Sequence, residues 1–181
     1  YDTRAFTHGA GLAVFEVDAP DTQRVKRQML DAVGAAHPGT LVAVDFNQAH
    51  WLEALKEAGF DPSLPTLVLW EGVTYYLPDE VVKDVLRSVA TLAVGSVVAF
   101  DYFGDHWIHR RVVQVLTRAM GEPFRFGIST EAPARTPAAA LVGECGLRLC
   151  HHDTIGFERP GRRTFGGFVV AAVPASDASD P

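Results

Sequence analysis

The chain has 181 residues, 48% of them apolar, and a mean hydropathy of +0.07, so it can bury one sizeable core. Its net charge of −6 argues against a general nucleic-acid binder, because the longest basic run, His109-Arg110-Arg111, is short and resembles a solvated helix face. With only Cys145 and Cys150, no signal-like segment and no bilayer-length apolar stretch, we expect free thiols, a cytoplasmic location and no membrane contact.

Short segments rich in Val, Leu and Phe predict strands, and helical periodicity fills most gaps between them. The strands are expected at about 12–17, 41–46, 66–71, 95–102, 147–152 and 167–173. This alternation predicts a mostly parallel sheet with helices on both faces. The polar, glycine-rich stretch from Gly156 to Gly167 favours an antiparallel return between the last two strands.

Helices are expected between these strands. One covers about 21–34, where Val25, Met29 and Val33 recur at fourfold spacing. The clearest helix begins at Pro78 and ends before Gly95, with its apolar stripe at Val82, Val85 or Leu86, Val89 and Leu92. Two more are expected, one over 106–120 with its apolar side at Ile108, Val112, Val115 and Leu116, and one from a Thr136 cap to Gly143 or Gly146. The tail 176–181 is expected to be disordered.

An acidic residue lies at the end of each of the first three predicted strands. These residues are Asp18, Asp45 and Glu71. Ligands of open α/β sheets lie across the carboxyl ends of the strands, so the three carboxylates are predicted to converge on one crevice. An apolar run that closes on an acid is typical of a site for a ribose diol. Each acid alone could be a helix cap, but three on consecutive strands favour a ligand site.

The glycine-rich turn that such a site needs is not found in the expected place. Gly9-Ala10-Gly11 is interpreted as a plain loop, because it comes directly before the strand that ends at Asp18. Since the chain begins at Tyr1, we expect a C-terminal portion of a longer product that lacks the first strand and the N-terminal segment. That strand would lie between those ending at Asp18 and Glu71, so direct pairing of these two would contradict the topology.

Four motifs, in the same order, resemble the leucine carboxyl methyltransferase family, in particular its bacterial S-adenosylmethionine-dependent branch. They are Asp2-Thr3-Arg4, Phe15-Glu16-Val17-Asp18, Asp45-Phe46 and Glu71-Gly72-Val73-Thr74-Tyr75-Tyr76-Leu77. In the family, a Gly-Ala-Gly turn directly precedes the Asp-Thr-Arg. The resemblance runs to about residue 102 and continues weakly through 121–127. It implies one α/β domain over 1–175 with a Rossmann-like class I methyltransferase sheet, mostly parallel with an antiparallel C-terminal strand.

The resemblance also implies which residues hold the nucleoside of S-adenosylmethionine. Asp18 would bind the ribose hydroxyls, and Asp45 together with the backbone of Phe46 would hold the adenine. These roles suit the chemistry, since a carboxylate accepts two hydrogen bonds from a diol, or one from an exocyclic amine.

The methionine end is assigned in the same way. Glu71 would lie there, where an acid complements the cationic sulfonium. Asp2 and Arg4 are expected to stabilise the glycine turn and the region around the methionyl carboxylate.

Substrate contacts are expected from ring side chains near the predicted crevice. Tyr75 and Tyr76 lie close to Glu71 in the sequence, and His106 and His109 are three residues apart on a predicted helix, whereas Trp70 is expected in the core. No catalytic base is identified, because in-line displacement at a sulfonium methyl requires mainly alignment.

No metal site is predicted. His151 and His152 are adjacent on a predicted strand, so their side chains should point to opposite faces, and no third ligand is evident.

The predicted function is therefore S-adenosylmethionine-dependent O-methylation of a small-molecule carboxylate or hydroxyl. One alternative is a NAD(P)-dependent Rossmann oxidoreductase, which also binds ribose through an acid ending the second strand. Another is a non-catalytic cofactor-binding scaffold. A protein C-terminal carboxylate is the second choice of acceptor.

Overall fold

The computed structural model describes residues 3–46, 50–157, 159 and 161–175. Asp2 and the predicted tail 176–181 therefore lie outside the described residues. The chain divides into two compact units, Tyr1–Asp61 and Pro62–Pro181, each with its own sheet. The single domain expected over 1–175 stays a prediction.

The first unit contains a parallel pair of strands. Its elements are α1 (Arg4–His8), β1 (Phe15–Asp18), α2 (Pro20–Ala32), β2 (Thr40–Ala43) and α3 (Trp51–Glu57). Asp18 pairs with Ala43, and the Val44 N–H donates to the Asp18 carbonyl at 2.9 Å. Because the strands are parallel, the chain leaves both of them at the same end of this sheet.

Helix α2 buries polar side chains, which corrects the predicted orientation. Gln23 and Lys26 are buried, whereas Met29 and Val33 are 53% and 76% exposed. The Lys26 ammonium donates to the Glu16 carboxylate on β1, and the Gln23 amide donates to the Glu16 carbonyl at 3.0 Å. The fourfold aliphatic stripe fails to mark the inner face, because an ion pair and an amide hydrogen bond hold the polar face against β1.

The second unit is built on a mixed sheet. Its elements are β3 (Leu67–Trp70), a 3₁₀ turn (Thr74–Tyr76), α4 (Asp79–Ala90), β4 (Val97–Phe103), α5 (Asp105–Ile108), α6 (Arg111–Ala119), α7 (Arg135–Glu144), β5 (Arg148–Ile155) and β6 (Gly166–Ala172). The strand order is β3-β4-β6-β5. β3 and β4 are parallel, while β6 is antiparallel to both of its neighbours, so the predicted antiparallel return is confirmed.

The core of this unit lies between α4 and the sheet. Val82, Leu86 and Val89 on α4 are fully buried, and Phe100 on β4 is 1% exposed. Trp70 at the end of β3 is 6% exposed and packs against Phe100 with 6.2 Å between ring centroids. The apolar stripe of this helix and the core position of Trp70 are both confirmed.

The helix predicted over 106–120 is interrupted. It forms α5 and α6, separated by His109 and by Arg110, whose backbone is extended at φ −67° and ψ 126°. Ile108 is buried as expected, but the remaining aliphatic residues of the predicted side are exposed by about three fifths, namely Val112, Val115 and Leu116. No helix in the described ranges is both long and apolar enough to cross a membrane.

The predicted start of α7 is wrong by a few residues. The helix begins at Arg135, so Thr136 lies inside its first turn, and no side chain caps its N-terminus. It ends at Glu144, two residues before Gly146, which has a φ of +83°.

β1 and β3 lie in different sheets. β1 pairs with β2, and β3 pairs with β4. β3 is a terminal strand of its sheet, with Leu67 and Leu69 exposed at 63% and 45%.

Candidate functional site

Asp18 is the last residue of β1 and is partly buried. One carboxylate oxygen, Oδ1, accepts a hydrogen bond from the Ala19 N–H at 2.7 Å. Helix α2 starts at Pro20 with Ala19 as its N-cap residue, so Asp18 is not that cap. The other oxygen, Oδ2, has no hydrogen-bond partner in the part of the chain that the structure describes. The carboxylate is thus fixed in place and still able to accept from a hydroxyl group.

Asp45 and Phe46 follow β2 and are partly buried. Because Val44 continues the pairing with Asp18, Asp45 comes at the same end of the sheet as Asp18. The first unit therefore places the predicted ribose and adenine residues at one sheet edge. Arg4 is the first residue of α1 and is partly buried.

Glu71 is the first residue after β3 and is exposed. The loop that follows is attached to β4 through Asp101. The Gly72 N–H donates to Asp101 Oδ1 at 2.8 Å, and the Thr74 hydroxyl donates to the Asp101 carbonyl at 2.6 Å. Gly72 has a φ of +73°, a conformation that favours glycine. Glu71 and Asp101 consequently lie near the carboxyl ends of adjacent parallel strands.

Four rings form a continuous surface beside this loop, which we call the aromatic wall: Tyr75, Tyr76, Phe103 and Phe124. The Tyr75 ring lies 4.4 Å from Phe103, 4.6 Å from Tyr76 and 4.9 Å from Phe124, measured between centroids. All four side chains are partly buried. The Arg125 N–H donates to the Tyr75 carbonyl at 2.7 Å, which holds the segment carrying Phe124 in place.

The ionisable groups around the wall have shifted pKa values. Burial, with contributions from Tyr76 and Asp101, raises the pKa of Tyr75 to about 12, so its phenol is a neutral hydrogen-bond donor at pH 7. Burial also raises the pKa of Asp101; the Gly72 N–H opposes this shift and the nearby Glu71 charge adds to it.

His106 on α5 belongs to an adjoining cluster. Its Nδ1 lies 3.4 Å from the Thr130 hydroxyl, and its ring lies 5.8 Å from that of Trp107. Burial and the charge of Arg163 lower its pKa, so the imidazole is neutral at pH 7. The Trp107 ring lies 5.0 Å from Phe165, which in turn lies 5.0 Å from Phe103 of the wall.

His109 is not part of this arrangement. It is the exposed C-cap residue of α5, and no hydrogen bond, ion pair or ring contact joins it to the wall within the described ranges. The sequence spacing of His106 and His109 suggested a shared surface, but α5 ends between them.

His151 and His152 have separate environments. His151 Nε2 lies 2.7 Å from the exposed Asp153 carboxylate, whereas His152 Nε2 lies 2.8 Å from the hydroxyl of buried Tyr102. The two rings therefore point to opposite faces of β5, as predicted.

Sequence reasoning missed Asp101, Phe103 and Trp107. An indication was available for Asp101, which is the acidic residue in the apolar run from Val97 to Phe103. The rule that identified Asp18, Asp45 and Glu71, an acid at the carboxyl end of a predicted strand, would have selected it too.

The fold of the chain resembles solved structures over nearly its whole length. A DUF574 family protein from Streptomyces avermitilis superposes with a TM-score of 0.60 and 21% identity, covering 90% of this chain and 65% of the other. An S-adenosylmethionine-dependent methyltransferase from Methanosarcina mazei gives a TM-score of 0.59 at 13% identity, covering 96% and 87%. The chain has a Rossmann-like class I fold, which confirms the predicted fold class.

Sequence comparison gives the family. A Mycolicibacterium smegmatis protein that carries the name S-adenosyl-L-methionine-dependent methyltransferase is 37% identical over 164 residues, covering 82% of this chain and 51% of the relative. The chain spans about half the length of such curated relatives. The family model described as leucine carboxyl methyltransferase matches residues 1–90, which include all four motifs. This segment belongs to the leucine carboxyl methyltransferase family, as its motifs predict.

Proposed function

We propose that this protein transfers the methyl group of S-adenosylmethionine to an oxygen of a small-molecule carboxylate or hydroxyl. The observation that carries the proposal is the Asp18 carboxylate, which the Ala19 N–H holds at the end of β1 with its second oxygen open to a ligand. It lies within the segment that belongs to the methyltransferase family.

The residues that follow β1 and β2 would hold the nucleoside. Asp18 would accept hydrogen bonds from the ribose diol, and Asp45 would accept from the adenine amine while the Phe46 N–H donates to the ring.

Glu71 and several ring side chains are proposed for the remaining contacts. Glu71 would lie near the positively charged sulfonium, and the aromatic wall together with His106 would contact the acceptor. The main contribution of these residues is alignment, which can supply about 7–11 kcal/mol of the barrier reduction in reactions of this kind.

Calorimetric titration of the protein with S-adenosylhomocysteine tests this function. We expect binding, and we expect Asp18→Ala to weaken it by about tenfold or more, because a charge-assisted hydrogen bond contributes about 1.5–3 kcal/mol. Asp21→Ala is the matched control, since Asp21 is a nearby exposed acid that pairs with Arg24 at 3.0 Å. Unchanged affinity in Asp18→Ala would remove Asp18 from the site.

A parallel titration with NAD distinguishes the methyltransferase from the main alternative, a NAD(P)-dependent oxidoreductase. Binding of NAD with no binding of S-adenosylhomocysteine would overturn the methyltransferase proposal in favour of an oxidoreductase. Binding of S-adenosylhomocysteine without transfer of label from S-adenosylmethionine to metabolite or protein extracts would favour a scaffold, and base-labile label in protein alone would favour a protein carboxylate acceptor.

A further inference from the structure

Asp101 lies on the same face of β4 as the aromatic wall. Residues alternate along this strand, so that Val98, Phe100 and Tyr102 are buried on one face while Ala99, Asp101 and Phe103 are only partly buried on the other. Phe103 is a member of the wall, and the charge of Asp101 contributes to the raised pKa of Tyr75. The carboxylate is thus adjacent to the rings that would face an acceptor.

Only one oxygen of the Asp101 carboxylate accepts a hydrogen bond within the described ranges. Oδ1 accepts from the Gly72 N–H at 2.8 Å, but Oδ2 has no hydrogen-bond partner and no ion pair within the described ranges. The ionisable groups that face it are Glu71, from the loop after β3, and Tyr75, from the 3₁₀ turn. None of these carries a positive charge. A partly buried carboxylate without a cation is costly, and such groups are common at functional sites.

We propose that Asp101 accepts the proton of the acceptor, and that the acceptor is a neutral hydroxyl on a flat apolar ring. This inference rests on the function proposed above and narrows it. The aromatic wall offers ring faces for stacking. A carboxylate acceptor would instead be repelled by Asp101 and Glu71.

The proton balance of the step is simple. The bond between sulfur and methyl breaks, a bond between the acceptor oxygen and the methyl carbon forms, and the hydroxyl proton passes to Asp101 Oδ2. The products are S-adenosylhomocysteine, a methyl ether and a protonated Asp101, which then releases its proton to solvent. A carboxylate acceptor is already ionised and requires no such base.

Cations do occur at the other end of the ring surface. Arg163 and Arg110 are close enough to His106 for their charges to lower its pKa, and the Arg110 guanidinium lies 4.5 Å from the Trp107 ring centroid. An anionic acceptor would be attracted to that end. A neutral acceptor is therefore expected near Asp101, and an anionic acceptor near Arg110 and Arg163.

The test compares 2-naphthol with 2-naphthoate, which share a ring system and differ in charge. Calorimetry on the protein saturated with S-adenosylhomocysteine should show that naphthol binds at least tenfold more tightly than naphthoate. Asp101→Asn keeps an oxygen for the Gly72 N–H and removes the charge, so it should reduce this discrimination. Asp84→Asn on α4, which removes an exposed charge paired with Arg87, should leave the discrimination unchanged.

Turnover gives a second readout. With labelled S-adenosylmethionine and 2-naphthol, label should appear in a base-stable ether, and Asp101→Asn should lower kcat by about 10²-fold or more, with a smaller effect on KM. Tighter binding of naphthoate, base-labile ester as the labelled product, absence of naphthol binding or methylation, or an unchanged kcat in Asp101→Asn would each overturn the inference. If S-adenosylhomocysteine itself does not bind, the proposed function fails, which is a separate result.

Discussion

At the scale of single residues, the ionised carboxylate of Asp101 lowers the stability of the fold. Its carboxylate is partly buried, accepts one backbone hydrogen bond and has no cation beside it within the described ranges. The raised pKa means that the folded protein disfavours the ionised form, so ionisation of Asp101 opposes folding at neutral pH. Residues kept at such a cost are characteristic of sites where activity and stability conflict.

Asp101→Asn should therefore raise the free energy of unfolding at pH 7. Between the unfolded pKa near 3.8 and the higher folded value, the folded state binds more protons, so the contribution of Asp101 to stability falls as pH rises through this window. The difference in the free energy of unfolding between Asp101→Asn and the parent protein should accordingly become smaller as pH falls towards 4. Urea unfolding followed by fluorescence at several pH values measures it, and a variant less stable than the parent at pH 7 would contradict the argument.

The position of a residue within its strand is predictable where the sequence signal is local. Asp18 was identified because an apolar run ends on it, and the structure places it at the last position of β1. His109 was selected by helical spacing alone, which carries no information about the break at Arg110. Phe103 and Trp107 escaped notice because their contact with Phe165 joins positions far apart in the sequence.

At the scale of elements, the six strands and α4 follow from the hydrophobic pattern. Helix α4 combines acids in its first turn with an apolar stripe, and every residue of that stripe is buried. Helices α2 and α6 have similar periodicity, yet Met29 on α2 and Val112, Val115 and Leu116 on α6 are exposed. The pattern shows that a helix has an apolar side but not what packs against it, and for α2 a buried ion pair decides the orientation.

The cluster around Glu16 should be important for the stability of the first unit. Lys26 and His37 have side chains only 6% and 5% exposed, and both contact the Glu16 carboxylate. Glu16→Gln removes the negative charge that faces the buried Lys26 ammonium, which should lower the free energy of unfolding by about 3–5 kcal/mol.

Hydrogen exchange over β1 and α2 measures this effect locally. The matched variant Glu16→Leu with Lys26→Met removes both charges and should recover most of the loss. If the single and double variants exchange equally fast, the ion pair does not hold α2 against β1.

At the scale of the whole molecule, the sequence contains enough information for the fold class and the family. The antiparallel return was predictable because the composition of the segment between the last two strands is a local signal. The division into the units Tyr1–Asp61 and Pro62–Pro181 was not predicted, since it depends on how contacts are distributed through space. The chain spans about half the length of curated relatives, so the activity of the whole protein stays a proposal.

The terminal strand β3 has a consequence for how the 181-residue chain behaves in solution. β3 is a terminal strand of its sheet within the described ranges, and Leu67 and Leu69 are exposed on one of its faces. Such an edge is a template for aggregation, because any extended chain can pair with it. We expect particle size in dynamic light scattering to grow with protein concentration and Leu69→Lys to suppress the growth. Leu64→Lys, at an exposed position outside the strand, should not suppress the growth in particle size. If both variants suppress it equally, the added positive charge is the cause and not the edge of β3.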